Sequence, residues 1–289
     1  MPSPTTWQIR GRELSLERPL VMGVVNVTPD SFSDGGRFQT SSAALAHAAR
    51  LVAEGADIVD VGGESTRPQG AEVVPTDEEL RRVLPVIQTL AAERPELVIS
   101  VDTMKAAVAE AALAAGAHIV NDVSGLRLDA EMAHVCAAAG AGVVVMHSRG
   151  GVTDMATFAH ADYDDFLAEM LAELAERVRT AERAGVPRAA IAVDPGIGFS
   201  KRTEHSLRAL ACLERLTPWG LPIVVGASRK RFIGQLTGQA NAAQRVYGSV
   251  GAAVMAYERG AHVLRVHDVA ATRQALDVAA AIRDAGADR

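Results

Sequence analysis

Apolar residues along this chain follow two alternating patterns. Short, β-branched, nearly uninterrupted runs recur at fairly even spacing. Between them lie longer stretches rich in Ala, Leu, Glu and Arg whose apolar positions repeat at helical intervals. The short runs are LVMGVVN near 20–26, DIVDVG near 57–62, LVISVD near 97–102, HIVNDV near 118–123, VVVMH near 143–147, AIAVD near 190–194, PIVVGAS near 222–228 and HVLRVH near 262–267. Strands apolar at successive positions are covered on both faces, as parallel strands flanked by helices are. The helical stretches Ser41 to Gly55, Lys105 to Gly116, Asp129 to Gly140, Asp162 to Gly185 and Val246 to Gly260 each close on a glycine. A glycine there can adopt the left-handed conformation that turns the chain out of a helix and into the next strand. Eight such repeats predict an α/β fold, a (β/α)8 TIM barrel. The opening segment WQIRGRELSLER alternates apolar and polar residues about Gly11 and predicts an N-terminal β-hairpin plugging the bottom of the barrel.

A chain of 289 residues with 48% hydrophobic content can bury a core of that size, and no low-complexity linker divides it, so residues 1–289 are expected to form a single barrel domain. No uninterrupted apolar run approaches the length needed to cross a bilayer, and Met1 to Leu20 lacks the apolar core of a signal peptide, which points to the cytoplasm. Cys136 and Cys212 lie in helix-like stretches without metal-ligand spacing and read as free, buried thiols. A formal charge of −6 gives no general attraction to nucleic acid or to an anionic membrane, so an anionic substrate has to be met by a local basic cluster.

In a barrel of this kind the active site is built at the C-terminal ends of the strands. The irregular stretches 27–40, 64–76, 148–161 and 227–245 all begin there, and every predicted strand ends in hydrogen-bonding or charged residues. In order these are Asn26, then Glu64-Ser65-Thr66-Arg67, Asp102-Thr103, Asn121-Asp122, Met146-His147, Asp194-Pro195-Gly196, Ser228-Arg229-Lys230, and Arg265-Val266-His267-Asp268. Together they suggest a ligand cage. Asp102 and Asp194 either cap the helices that follow or accept paired N–H donors from a flat, guanidine-like heterocycle. Asn121 either satisfies loop backbone or, with Lys230, complements the acceptors and donors of such a ring. Arg265 and His267 flank Val266, so a period of two turns both to the barrel mouth, where they suit a phosphate or diphosphate. Asn26 can offer an oxygen to Mg²⁺, although one Asn does not define a metal site. His147 has no HExxH or Cys partner and reads as structural. No GxSxG elbow or P-loop is present, which excludes nucleophilic acyl transfer and NTP hydrolysis by those devices.

Several segments, in order, resemble the dihydropteroate synthase family. They are MGVVNVTPDSFSDGG (Met22 to Gly36), DVGGESTRP (Asp60 to Pro68), SVDT at 100–103, HIVND at 118–122, VDPGIGF at 193–199, GASRKRFIG at 226–234 and RVHDV at 265–269. The resemblance runs from about residue 20 to 270. It implies that Asn26 binds Mg²⁺ with a pterin diphosphate whose oxygens Thr66, Arg265 and His267 hold. It also implies that Asp102, Asn121, Asp194 and Lys230 line a pterin slot, with Met146 packed on the ring. Phe32 and Asp34 of the first loop, Arg67 and Pro68 of the second, and Ser228 would form a p-aminobenzoate pocket open to sulfonamides. Asp102, Asp194, Lys230, Arg67 and Asp34 would be the catalytic residues. A homodimer is implied too. Gln69, where the family usually has Gly, departs from the pattern beside that pocket. The alternatives are a catalytically silent pterin-binding paralogue and a pterin-dependent methyltransferase, which would not need the SRK segment together with both loops.

Overall fold

A computed structural model describes residues 4–27, 37–65 and 73–287. A short antiparallel ribbon, β1 (Thr6–Ile9) and β2 (Arg12–Ser15), comes first. Eight parallel strands follow: β3 (Leu20–Asn26), β4 (Ile58–Gly62), β5 (Val98–Asp102), β6 (Ile119–Asp122), β7 (Gly142–Met146), β8 (Ile191–Asp194), β9 (Val224–Val225) and β10 (Val263–Val266). They pair in the order β8-β7-β6-β5-β4-β3-β10-β9. The two ends of this sheet meet through a parallel bridge between Val193 and Ile223, where the Val193 N–H donates to Pro222 O at 2.9 Å. The barrel is therefore closed, as the repeat pattern predicts.

Around it lie α1 (Arg37–Ala53), α2 (Thr76–Glu93), α3 (Ala106–Ala114), α4 (Met132–Ala139), α5 (Phe166–Arg183), α6 (Thr203–Ala211), α7 (Arg231–Thr237), α8 (Val246–Glu258) and α9 (Val269–Ala287). The five glycines expected to stop helices, Gly55, Gly116, Gly140, Gly185 and Gly260, all have positive φ. The seventh barrel strand is shorter than the run PIVVGAS suggests. Only Val224 and Val225 pair as a strand, because Pro222 has no N–H to donate and the chain turns at the Ala227 to Lys230 segment.

Alternation along the strands sorts side chains into two cores. Val59, Val61, Ile99, Val101, Val143, Val145 and Val266 face outward and pack under the helices. At the N-terminal end Met22, Ile58, Val98, Ile119, Val144, Ala192, Val224 and Val263 face inward and pack on Trp7 and Ile9 of the hairpin. Trp7 is fully buried there, and its Nε1 donates to Ala190 O at 3.0 Å. Gly142 makes room for the plug, since a Cβ at that position would stand 2.7 Å from Ile9 Cγ2. Fully burying side chains of this size stabilises by roughly 1.5–3 kcal/mol each, so this closed end anchors the barrel. Among the described residues, no helix is long and apolar enough to cross a membrane. Cys136 is buried, but Cys212, the residue that caps the C-terminus of α6, is only half-buried.

Candidate active site

Two to four residues beyond the apolar layer, the same strands turn polar. Asp60, Ser100, Asp102, Asn121, Asp194 and Arg265 stand in step with inward-facing Ile58, Val98, Ile119, Ala192 and Val263. Above them opens a cavity of about 1150 Å³. Asn26, Asp102, Asn121, Met146, Asp194, Ser228, Lys230, Arg265 and His267 all line it, whereas Thr103, Asp122, His147, Pro195, Gly196 and Asp268 of the predicted strand ends do not. Phe32, Asp34, Thr66, Arg67, Pro68 and Gln69 lie outside the described residues.

Arg265 organises the floor. Its Nε donates to Asp60 Oδ2 and its Nη2 to Asp102 Oδ2, each at 2.6 Å. Asn121 Nδ2 donates to the same Asp60 oxygen at 3.0 Å, which leaves the Asn121 carbonyl oxygen as an acceptor. Burial opposes the charge on Arg265, but Asp60 and Asp102 outweigh it and raise its affinity for a proton further. Burial also raises Asp102 above the usual carboxylate range; Arg265 resists that shift and Asp60 adds to it. Asp60 Oδ1 and Ser100 Oγ are buried without a hydrogen-bond partner among the described residues.

Across the cavity burial pushes Asp194 up to about 6, against the pull of the Gly196 N–H, which donates to its Oδ1 at 2.6 Å, and of Lys230. Burial and Arg265 push Lys230 down to about 8, with Asp194 opposing. The Lys230 ammonium sits 3.9 Å from the centre of the Phe199 ring, a cation–π contact. His267 is driven down to about 3 by burial and by Arg265 and Arg229, so it is neutral at pH 7. Ser228 Oγ lies 3.1 Å from its Nδ1 and accepts its backbone N–H at 3.2 Å. Beside it Arg229, at φ 58°, is paired with Asp268 at 2.5 and 2.9 Å.

These contacts decide between the readings left open. Neither Asp102 nor Asp194 caps a helix: Asp129 Oδ2 accepts the Ala106 N–H at the start of α3, and Asp194 holds its own loop. Asn121 turns to Asp60 rather than to loop backbone. His147 is buried between Lys201 and Glu173, in keeping with a structural place. Sequence reasoning missed Asp60, Phe199 and Lys201. Asp60 had left a signal, a charged residue in mid-strand within DIVDVG and in step with Ile58, which a period of two puts inside the barrel.

Among the described residues, no group of three or more His, Cys, Asp or Glu is arranged to hold a metal. Asn26, half-buried at the end of β3 and lining the cavity, offers a hard amide oxygen. That donor fits Mg²⁺ taking most of its shell from phosphate and water.

A closed barrel whose mouth carries this carboxylate, amide and lysine set is a small-molecule site for a flat, polar heterocycle. The chain belongs to the pterin binding enzyme family, whose pattern matches residues 22–267. It is similar to the dihydropteroate synthase of Bacillus subtilis, 44% identical over 88% of this chain and 85% of that one. It is also similar to a probable bifunctional folylpolyglutamate synthase/dihydropteroate synthase of Haloferax volcanii, 46% identical over 91% of this chain, which spans only 30% of that protein. Among solved structures, the dihydropteroate synthase of Xanthomonas albilineans with 4-aminobenzoic acid superposes with a TM-score of 0.90 at 49% identity, over 97% of this chain and 99% of that one.

Proposed function

We propose that the chain is a dihydropteroate synthase, a transferase that joins 6-hydroxymethyl-7,8-dihydropterin diphosphate to p-aminobenzoate and releases 7,8-dihydropteroate and diphosphate for folate synthesis. The observation that carries this reading is the ring of Asp102, Asn121, Asp194 and Lys230 around one cavity, floored by the Asp60–Arg265 pair. A pterin presents a guanidine-like edge of N–H donors, which carboxylates accept well, next to ring acceptors that an ammonium satisfies. Met146 and Phe199 supply apolar walls for its faces.

The neutral arylamine is already a nucleophile, so the slow event is cleavage of the bond between the pterin methylene and the diphosphate oxygen. The electron pair leaves with diphosphate, and the positive charge spreads into the ring. Ionised Asp194 and Asp102 favour that charge as it develops, in a site where preorganised electrostatics is strong. The arylamine lone pair then forms the new C–N bond, and the nitrogen releases a proton. Arg265, bonded to Asp60 and Asp102, keeps donors over for the departing diphosphate. His267 is neutral before substrate binds and gains a reason to protonate once an anion lies beside it. Asn26 would hold Mg²⁺, which supplies charge neutralisation for the diphosphate when bound.

Thr66 would add to the diphosphate contacts. Phe32, Asp34, Arg67, Pro68 and Ser228 would receive p-aminobenzoate, with sulfonamides as competitors. A homodimer fits the exposed apolar residues of α7 and α8, Leu236, Tyr247 and Met255. Two unpaired cysteines suit the reducing cytoplasm. The test is diphosphate release by purified protein given the pterin diphosphate, Mg²⁺ and p-aminobenzoate, with each omitted in turn and dihydropteroate detected by mass. Arylamine-dependent product is expected. Pterin binding without product under any condition would make the chain a silent paralogue.

A further inference from the structure

Lys201 is 1% exposed, yet among the described residues it forms no ion pair with a carboxylate. Its Nζ donates to His147 Nδ1 at 2.7 Å, to Phe199 O at 3.1 Å and to His147 O at 3.4 Å, so the ammonium is fully hydrogen-bonded. These partners belong to the segments that leave β7 and β8, and Lys201 stitches the two together. Since Lys201 can only donate, His147 Nδ1 must accept, and its Nε2–H is left to donate to Glu173 at 3.2 Å. His147, pushed down to about 3 by burial and by Lys201, stays neutral in this role. Glu173 is fixed in turn by Arg149. The chain Lys201–His147–Glu173 thus carries compensating negative charge toward a buried ammonium without direct contact, as a third group orients a base in catalytic triads.

What Lys201 holds is the loop from Asp194 to Ser200. That loop is strained and tightly seated. Gly196 is at φ 69°, and a Cβ there would fall 1.9 Å from His147 O. Ser200 is at φ 48°, with its Oγ bonded to Arg149 O and its own carbonyl accepting from Tyr163. Phe199, whose carbonyl Lys201 binds, places its ring under the Lys230 ammonium. We infer that Lys201 is a positioning residue for pterin binding: through Phe199 O and His147 it sets the Phe199 ring, and with it the Lys230 ammonium and the Asp194 carboxylate, at the geometry the heterocycle requires. The inference rests on the pterin reading of the cavity.

The groups facing Lys201 are Asp194 of β8, His147 and Arg149 beyond β7, Glu173 and Arg177 of α5, and His205 of α6. Burial lowers Lys201 to about 7, with Asp194 and Glu173 working against that shift. Losing its proton weakens its hold on the two carbonyls, so pterin affinity falls as pH rises through this range.

The experiment is calorimetric titration of full-length protein with 6-hydroxymethyl-7,8-dihydropterin, which lacks the leaving group, together with steady-state kinetics for both substrates. Lys201→Met is expected to weaken dihydropterin binding roughly 10- to 100-fold, with the KM for p-aminobenzoate unchanged. Glu173→Gln keeps an acceptor for His147 but removes the charge, so the alkaline loss of affinity should move to lower pH. Lys230 is set chiefly by burial, Arg265, Asp194, Asp102 and Arg231, so an alkaline limb that moves in Glu173→Gln belongs to Lys201. Wild-type affinity in Lys201→Met with only a lower melting temperature, or an unmoved alkaline limb in Glu173→Gln, would overturn the positioning role. Wild-type protein that fails to bind the dihydropterin would instead overturn the pterin reading on which it rests.

Discussion

At the closed end of the barrel Ile58, Val98, Ile119 and Val263 pack against Trp7 and Ile9, while two residues further along the same strands stand Asp60, Ser100, Asn121 and Arg265. The lower layer is apolar and almost wholly removed from water. The upper layer puts charges into nearly the same depth of protein, where desolvation opposes each of them. It is retained with Asp60 Oδ1 and Ser100 Oγ unpartnered among the described residues, Asp102 and Asp194 raised and Lys230 lowered. One end holds the strands together, and the other spends some of that stability on an electrostatic field aimed at a ligand.

Separation of the two ends is sharpest in Trp7→Ala. Removing the plug should cost about 3–5 kcal/mol in denaturant unfolding, while turnover per folded molecule stays near wild type. Activity that declines in parallel with stability would mean the ends are coupled. In Asp194→Asn the effects reverse. Turnover should fall roughly 10²- to 10³-fold in single-turnover assays, yet the variant should be more stable above pH 6. The folded Asp194 has a raised pKa, so its favourable contribution is fully present below 3.8 and is lost as pH rises through about 6. The amide, which never ionises, escapes that loss, and a variant less stable at pH 8 would make Asp194 a net stabilising partner. The same titration predicts an acid limb: wild-type kcat/KM should fall as pH drops through about 6, and this limb should be missing in Asp194→Asn. Ser228→Ala, which releases His267, should raise the KM for the pterin diphosphate by an amount worth about 1 kcal/mol without slowing the chemical step. The smallest effect is expected in the lower layer: Ile119→Val should cost about 0.5–1.5 kcal/mol of stability and leave both KM values alone.

Much of this contrast was legible in the residues. Period two along DIVDVG, LVISVD and HVLRVH assigns Ile58, Val98 and Val263 to the interior and puts Asp102, Arg265 and His267 on the same inward line. The hairpin about Gly11 and the five glycine helix stops followed from local backbone preferences and are found as expected. Asp60 escaped notice because its partners, Arg265 and Asn121, are brought to it only by the fold. Lys201 escaped because nothing beside it in FSKRTE distinguishes a buried lysine from a solvated one.

The chain by itself thus determines the eight strand and helix repeats, the inward and outward faces, and the chemical types gathered at the strand ends, since all of these follow from periodicity and from near neighbours. Pairings across the barrel belong to the folded state. Arg265 meets Asp60 across 205 positions and Asp102 across 163; Lys201 reaches His147 across 54. Barrel closure, through Val193 and Ile223, is likewise set by radius and strand stagger. The pKa shifts have the same origin. Desolvation and the distance between charges are properties of three-dimensional packing, so the chemical types at the strand ends were open to sequence reasoning while their protonation states were not.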